Sequence, residues 1–236
     1  MLAVVDCRLP HDAEMSLVEQ GFSLLKLPPS PLLPPPVASH PDMLVFFAPD
    51  AILTTPSYAA VANRELALLS TAAKRPLICV AEDFGNSYPR DVLLNAAPMG
   101  SALLCLPSAV TASLLENPSY QICAVRQGYA KCATLPVSES ALITADPSIA
   151  KVAKKVGIDA LQVRPDAVAL SGYDRGFLGG AASFGPYRQH RNILFCGDLD
   201  THPDAAAMRA FCAHYGKKTV SLSHAPLYDV GTIFLI

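Results

Sequence analysis

Charge is scarce in this chain, and tryptophan is absent. Asp, Glu, Lys and Arg make up 16% of its 236 residues, against about 25% in an average domain. Hydrophobic residues reach 51%, so a large core is expected, with apolar surface left over for a homo-oligomer face. The net charge is −2 and no basic run is present, which argues against a nucleic-acid partner. No apolar stretch reaches the roughly 18 residues of a membrane helix. The N-terminal MLAVVDCRLPHD lacks the charged start and cleavage pattern of a signal peptide. Seven cysteines, an odd number without CxxC spacing, fit reduced thiols and a cytoplasmic location. Gly-x-Ser-x-Gly and His-Glu-x-x-His are also missing, so serine-hydrolase and zincin chemistry have no support.

What is present is a repeat. From Cys132 to Val163 the chain reads as two short apolar runs around Ser138-Glu139-Ser140, then a helix, then a third run. Asp146 can cap that helix, Pro147 suits its first position and Gly157 its end. Ile149, Val152, Ala153 and Val156 fall on one helical face. The unit is strand, strand, helix, strand. It recurs at the helix-start prolines Pro10, Pro56, Pro107, Pro147 and Pro203, separated by 46, 51, 40 and 56 residues. The expected first strands are Met43–Phe47, Val92–Ala96, Cys132–Val137 and Phe177–Ala181. The unit that begins with Leu2–Val5 lacks its first strand, which Val230–Ile236 supplies from the other end. An even period says repeat architecture, here a closed α/β ring of five units in a single domain over 1–236, with the termini paired. Residues 28–41, rich in proline, are an extended connector.

In such a ring the first strands line the centre. Counting back from each helix start aligns Asp42, Asp91 and Lys131-Cys132, with Asp229 in the matching place before Val230. Carboxylates are rarely buried unless paired or functional, so three at one column, with a thiol, mark the centre as the candidate site. Gly179, Gly180 and Ser183, in the most glycine-rich stretch, are candidates for pocket lining, because glycine lets backbone approach a ligand. That stretch lacks dinucleotide-binding spacing. Asp198 to His202 precedes a helix, where capping explains the acids better than a metal does.

Two segments carry a resemblance. Ser39-His40-Pro41-Asp42-Met43-Leu44 resembles the His-x-Asp/Glu strand of the pentein family of guanidino-group-modifying enzymes. Gly128-Tyr129-Ala130-Lys131-Cys132-Ala133-Thr134 resembles its Gly-x-x-Cys-x-Thr strand. The family includes arginine and agmatine deiminases, dimethylarginine hydrolase and amidinotransferases, and its fold is a five-fold pseudo-symmetric α/β propeller. The match requires a circular shift, since the family places its cysteine in the last unit and Cys132 falls in the middle one.

The resemblance implies a hydrolase or amidinotransferase acting on a small guanidino cation without cofactor or metal. Cys132 would be the nucleophile and His40 the acid/base, with His224 as a rival. Asp42, Asp91 and Asp229 would clamp the guanidinium, and Lys131 would help lower the thiol pKa. The alternative is a non-catalytic pentein that serves as a binding module, like the ribosome-binding translation factor with this ring.

Overall fold

The computed structural model describes all 236 residues as a mixed α/β structure of five small sheets, none closed on itself. The unit read around Pro147 is seen most plainly. Thr134–Ser138 pairs antiparallel with Ala141–Thr144, which pairs parallel with Asp159–Gln162 across the helix Pro147–Lys155. The Asp146 carboxylate accepts from the amides of Ser148 and Ile149 at 2.8 and 3.0 Å, satisfying two of the orphan donors of the first turn. Gly157, at φ +81°, follows the helix in the left-handed conformation that glycine adopts without penalty. The buried face is Ile149, Ala150 and Ala153, while Val156 is 38% exposed. Val156 caps the helix, so its side chain leaves the expected stripe.

Two further sheets repeat this plan. Phe46–Phe47, Ile52–Thr54 and Leu77–Cys79 form one, and Ala97–Met99, Ala102–Cys105 and Gln121–Ala124 the other. Pro56 opens a helix as expected. Pro107 does not, because the chain turns there and the short helix Ala112–Leu115 is capped by Thr111. Pro203 likewise precedes the helix Ala205–His214 by two residues.

The termini pair. Leu2–Asp6 runs parallel to Ser23–Leu27 and antiparallel to Ile233–Leu235. Ile233–Leu235 also pairs parallel with Ser183–Phe184. The remaining sheet is therefore only Asn192–Phe195 with Lys218–Ser221. Its expected first strand, Phe177–Ala181, is a turn, closed by Ala181 N–H donating to Phe177 O at 3.1 Å.

A similar departure sets the site. Asp42, Asp91 and Cys132 sit on turns that precede strands, while Asp229 lies in irregular chain ahead of Ile233–Leu235. Asp42 lies in the helical turn Pro41–Leu44 and Asp91 in the 3-10 turn Arg90–Val92. Cys132 lies in a turn closed by Ala133 N–H to Tyr129 O at 2.9 Å. Pro41 at the first helical position explains the first case, since its fixed φ suits a helix and its missing N–H costs nothing there.

The proline-rich connector is fastened down. Tyr58 Oη donates to Pro28 O at 2.9 Å, and Arg8 donates to Pro35 O and Pro36 O at 2.7 and 2.9 Å. Leu33 and Val37 from this segment are buried in the main core with Tyr58, Leu66 and Leu69. No helix is long and apolar enough to cross a membrane.

Candidate functional site

Asn95 is the hub of a wholly buried polar cluster. Its Nδ2 lies 3.0 Å from Asp42 O, 3.0 Å from Cys132 Sγ and 3.3 Å from Met43 Sδ, sharing two hydrogens among three acceptors. Its Oδ1 accepts from the amides of Lys131 and Cys132 at 2.8 and 3.3 Å. One side chain thus ties the turn carrying Asp42 to the turn carrying Cys132.

Thr232 makes the second tie. Its Oγ1 accepts from Lys131 Nζ at 2.9 Å and can donate to Asp42 Oδ2 at 2.8 Å or Gly179 O at 2.9 Å. Thr232 has φ +68°, a left-handed conformation that a β-branched residue holds at a cost of about 1–3 kcal/mol. The hydroxyl bridge between Lys131 and Asp42 is what holds it there.

Asp229 closes the cluster. Its carboxylate accepts from Gly231 N–H at 2.9 Å and Phe177 N–H at 2.8 Å. Gly180 lies against it so closely that a Cβ there would stand 2.0 Å from Asp229 Oδ1. A Cβ on Gly179 would be 2.2 Å from Thr134 O. Both glycines are therefore required for backbone to meet the cluster.

His40, 2% exposed, stands between two carboxylates. Its Nδ1 is 3.8 Å from Asp229 Oδ1 and its Nε2 is 3.8 Å from Asp6 Oδ2. Asp6 is further bound by Ser39 Oγ at 2.7 Å and by Arg8.

The charges here are costly. Burial pushes the Cys132 thiol well above its ordinary value, and Asp42 and Asp229 push it further, against the Asn95 hydrogen bond. Burial likewise raises the Asp229 carboxyl, and Asp42 adds to the rise. Burial lowers the Lys131 ammonium, opposed by Asp42, Cys132 and Asp229. Burial raises Asp6 too, but hydrogen bonds from Arg8 and Ser39 outweigh it, so that carboxyl is held low. Lys131 is 3% exposed and lies over the rings of Phe184 and Phe234 at 5.3 and 5.7 Å. The cavity beside Lys131 and Asp42 measures about 10 Å³, which is room for one water.

Of the candidates from sequence, Cys132, Asp42 and Asp229 are brought together, with His40 beside Asp229 and with Gly179 and Gly180 against the cluster. Asp91 is buried apart from them. Tyr129 Oη donates to its Oδ2 at 2.6 Å, under a stack of Tyr88, Tyr129 and Phe177. Ser183 faces elsewhere: its Oγ accepts from Leu194 N–H at 2.9 Å, and it lines a separate cleft. His224 is exposed. The expected help from Lys131 is outweighed, since the thiol is raised, not lowered. Asp6, Asn95 and Thr232 were missed. The signal for Asn95 was one amide inside the apolar run Val92-Leu93-Leu94-Asn95-Ala96-Ala97.

This fold is shared with enzymes of known structure. The agmatine deiminase of C. jejuni matches 94% of this chain and 86% of its own, with 11% identity and a TM-score of 0.53. SxtG, an amidinotransferase from Microseira wollei in the saxitoxin biosynthetic pathway, matches 92% of this chain and 77% of its own, with 12% identity and a TM-score of 0.53. The class is thus the α/β fold of these two proteins. Within it, the chain belongs to DUF6873, a family of unknown function whose model matches residues 4–234. No curated protein matches the sequence.

Proposed function

We propose that the chain is a guanidino-group-modifying enzyme of the pentein type, a hydrolase or amidinotransferase. In this reading residues 1–236 form a single domain. Its five sheets are the blades of a five-fold propeller, and its motif order is circularly shifted. The observation that carries the proposal is the convergence of a thiol, an imidazole and two carboxylates in one buried centre. The fold shared with an agmatine deiminase and an amidinotransferase supports it.

The chemistry follows from those groups. A guanidinium between Asp42 and Asp229 offers the paired donors that carboxylates accept best. Its charge opposes the two anions that hold the thiol up, so ligand binding itself favours the thiolate. Cys132 Sγ then bonds to the central carbon. His40 takes the thiol proton and gives it to the departing amine as the C–N bond breaks. Water or an acceptor amine then attacks the same carbon, losing a proton to His40, and the C–S bond breaks as that proton returns to the sulfur.

One observation favours a second reading, the non-catalytic binding module. The centre is filled, with Lys131 standing where a substrate cation would neutralise the carboxylates and with no ligand-sized space beside it.

Labelling with a haloacetamidine, a cationic electrophile shaped like a guanidinium, separates the two. Cys79 is exposed and Cys132 buried, so neutral iodoacetamide is expected to modify Cys79 first. Under the enzyme reading haloacetamidine reverses that order, and arginine or agmatine protects Cys132. The same order with both reagents would overturn the enzyme and leave the binding module.

A further inference from the structure

A deep cleft lies at the other end of the strands from Cys132. The cluster sits before Phe46, Thr134 and Ile233, where those strands begin. The cleft is bordered by Pro49, Gly100, Ser138 and Glu139, and by Arg188 to His190. Pro49, Gly100, Ser138 and Glu139 belong to three hairpins, and Arg188 to His190 to the loop between Ser183–Phe184 and Asn192–Phe195. Its volume is about 350 Å³, within the roughly 300–1,000 Å³ of small-molecule sites.

Its charge is one-sided. Arg75, Arg188 and Lys217 line it, against Glu139 as the only carboxylate. None of the three cations takes part in an ion pair of this chain. Two of them are positioned by neutral groups instead. Arg75 Nε donates to Pro49 O at 2.8 Å, and Lys217 Nζ donates to His190 O at 2.8 Å and Gln189 Oε1 at 3.2 Å. Three cations from three separate segments thus surround one cavity.

The cleft wall also holds an unpartnered polar atom. His190 Nε2 is buried without a partner. Burial, then Arg188, then Lys217 hold that imidazole below its ordinary value, and the Leu235 carbonyl pulls the other way. Aromatic walls complete the site. Phe47, Tyr120, Phe184 and Tyr187 line it, with the Arg75 guanidinium 5.0 Å from the Tyr187 ring centre.

We propose that this cleft binds a small aromatic anion, its phosphate or carboxylate head among Arg75, Arg188 and Lys217 and its ring against Tyr187 and Phe184. Uncompensated cations in a partly desolvated cavity favour an anion, guanidinium groups match planar or tetrahedral oxyanions, and the rings supply stacking area. The proposal does not depend on the chemistry at Cys132, since the cleft shares no polar residue with that cluster; only Phe184, which also lies under Lys131, borders both.

Calorimetric titration of the whole protein with phenyl phosphate, benzoate, inorganic phosphate and benzyl alcohol tests it. Phenyl phosphate or benzoate is expected to bind at least about tenfold more tightly than either inorganic phosphate or benzyl alcohol, and the tighter of the two assigns the head group. Arg188→Ala, a change at an exposed residue, is expected to weaken it about tenfold or more, as loss of one charge-assisted hydrogen bond does. His190 should titrate at higher pH in the complex, followed by NMR, because an anion favours the imidazolium. No binding of either aromatic anion at millimolar concentration overturns the proposal. So does equal affinity for inorganic phosphate, or an Arg188→Ala protein that binds as well as the parent.

Discussion

Lys131→Met is the most informative single change. It removes the cation of the buried cluster and keeps nearly the same side-chain length. Lys131 is 3% exposed and donates one hydrogen bond, to Thr232 Oγ1 at 2.9 Å. Its ammonium stands beyond ion-pair distance of Asp42 and Asp229, yet both carboxylates oppose its loss of charge. At 4 Å and an effective dielectric of about 20, a unit pair is worth roughly 4 kcal/mol, so each longer contact here is worth less. Breaking a buried charge arrangement by removing one partner costs about 3–5 kcal/mol, mostly from the anions left behind. That is a large share of a total stability of about 5–15 kcal/mol. Urea unfolding followed by circular dichroism is expected to show a fall of about 3–5 kcal/mol at neutral pH. Adding Asp42→Asn should return at least about 1 kcal/mol, the coupling expected between charges in one network. Ammonium ion, the size of the deleted group, should restore stability to Lys131→Met more than to the parent, by binding only the folded state. A loss under about 1 kcal/mol, with no coupling and no rescue, would refute the view that Lys131 balances this centre.

Three other outcomes are expected. The Asp229 carboxyl is raised above its unfolded value of 3.8, so its contribution to stability is fully present below that value and is lost as pH rises through its folded pKa. Asp229→Asn should therefore flatten the pH dependence of stability above pH 3.8, measured by urea titration at several pH values; an unchanged profile would remove Asp229 as its source. Gly180→Ala would place a Cβ 2.0 Å from Asp229 Oδ1, and overpacking of this kind costs about 1–3 kcal/mol. Thermal unfolding checks it, and a neutral result would mean the turn relaxes freely. Tyr129→Phe deletes the 2.6 Å bond to Asp91 and leaves Asp91, 1% exposed with Oδ1 already unpartnered, without its side-chain donor. About 1–3 kcal/mol should be lost, and Asp91→Asn in the same background should recover part of it.

The sequence by itself determined the local elements. The helix at Pro147 was legible because Asp146, Pro147 and Gly157 act within one turn of the chain, where capping and φ preferences decide the outcome. The pairing of the termini was legible because a parallel pair at Leu2–Asp6 left its sheet one strand short, and Val230–Ile236 was the spare apolar run. The column of Asp42, Cys132 and Asp229 was legible through the repeat.

Only the tertiary structure decided what that column means. Periodicity cannot say that Asp42 and Cys132 sit on turns and not on strands, because a turn fastened by Asn95 and Thr232 depends on partners far along the chain. Ser183–Phe184 joined the terminal sheet and left Phe177–Ala181 outside any strand for the same reason. Burial decided the rest. A lysine beside a cysteine reads in one dimension as a cation that lowers a thiol pKa. In three dimensions both groups are stripped of water, and two carboxylates reach the same sulfur. Desolvation then outweighs the neighbouring charge, so that the thiol is raised and the lysine fills the centre.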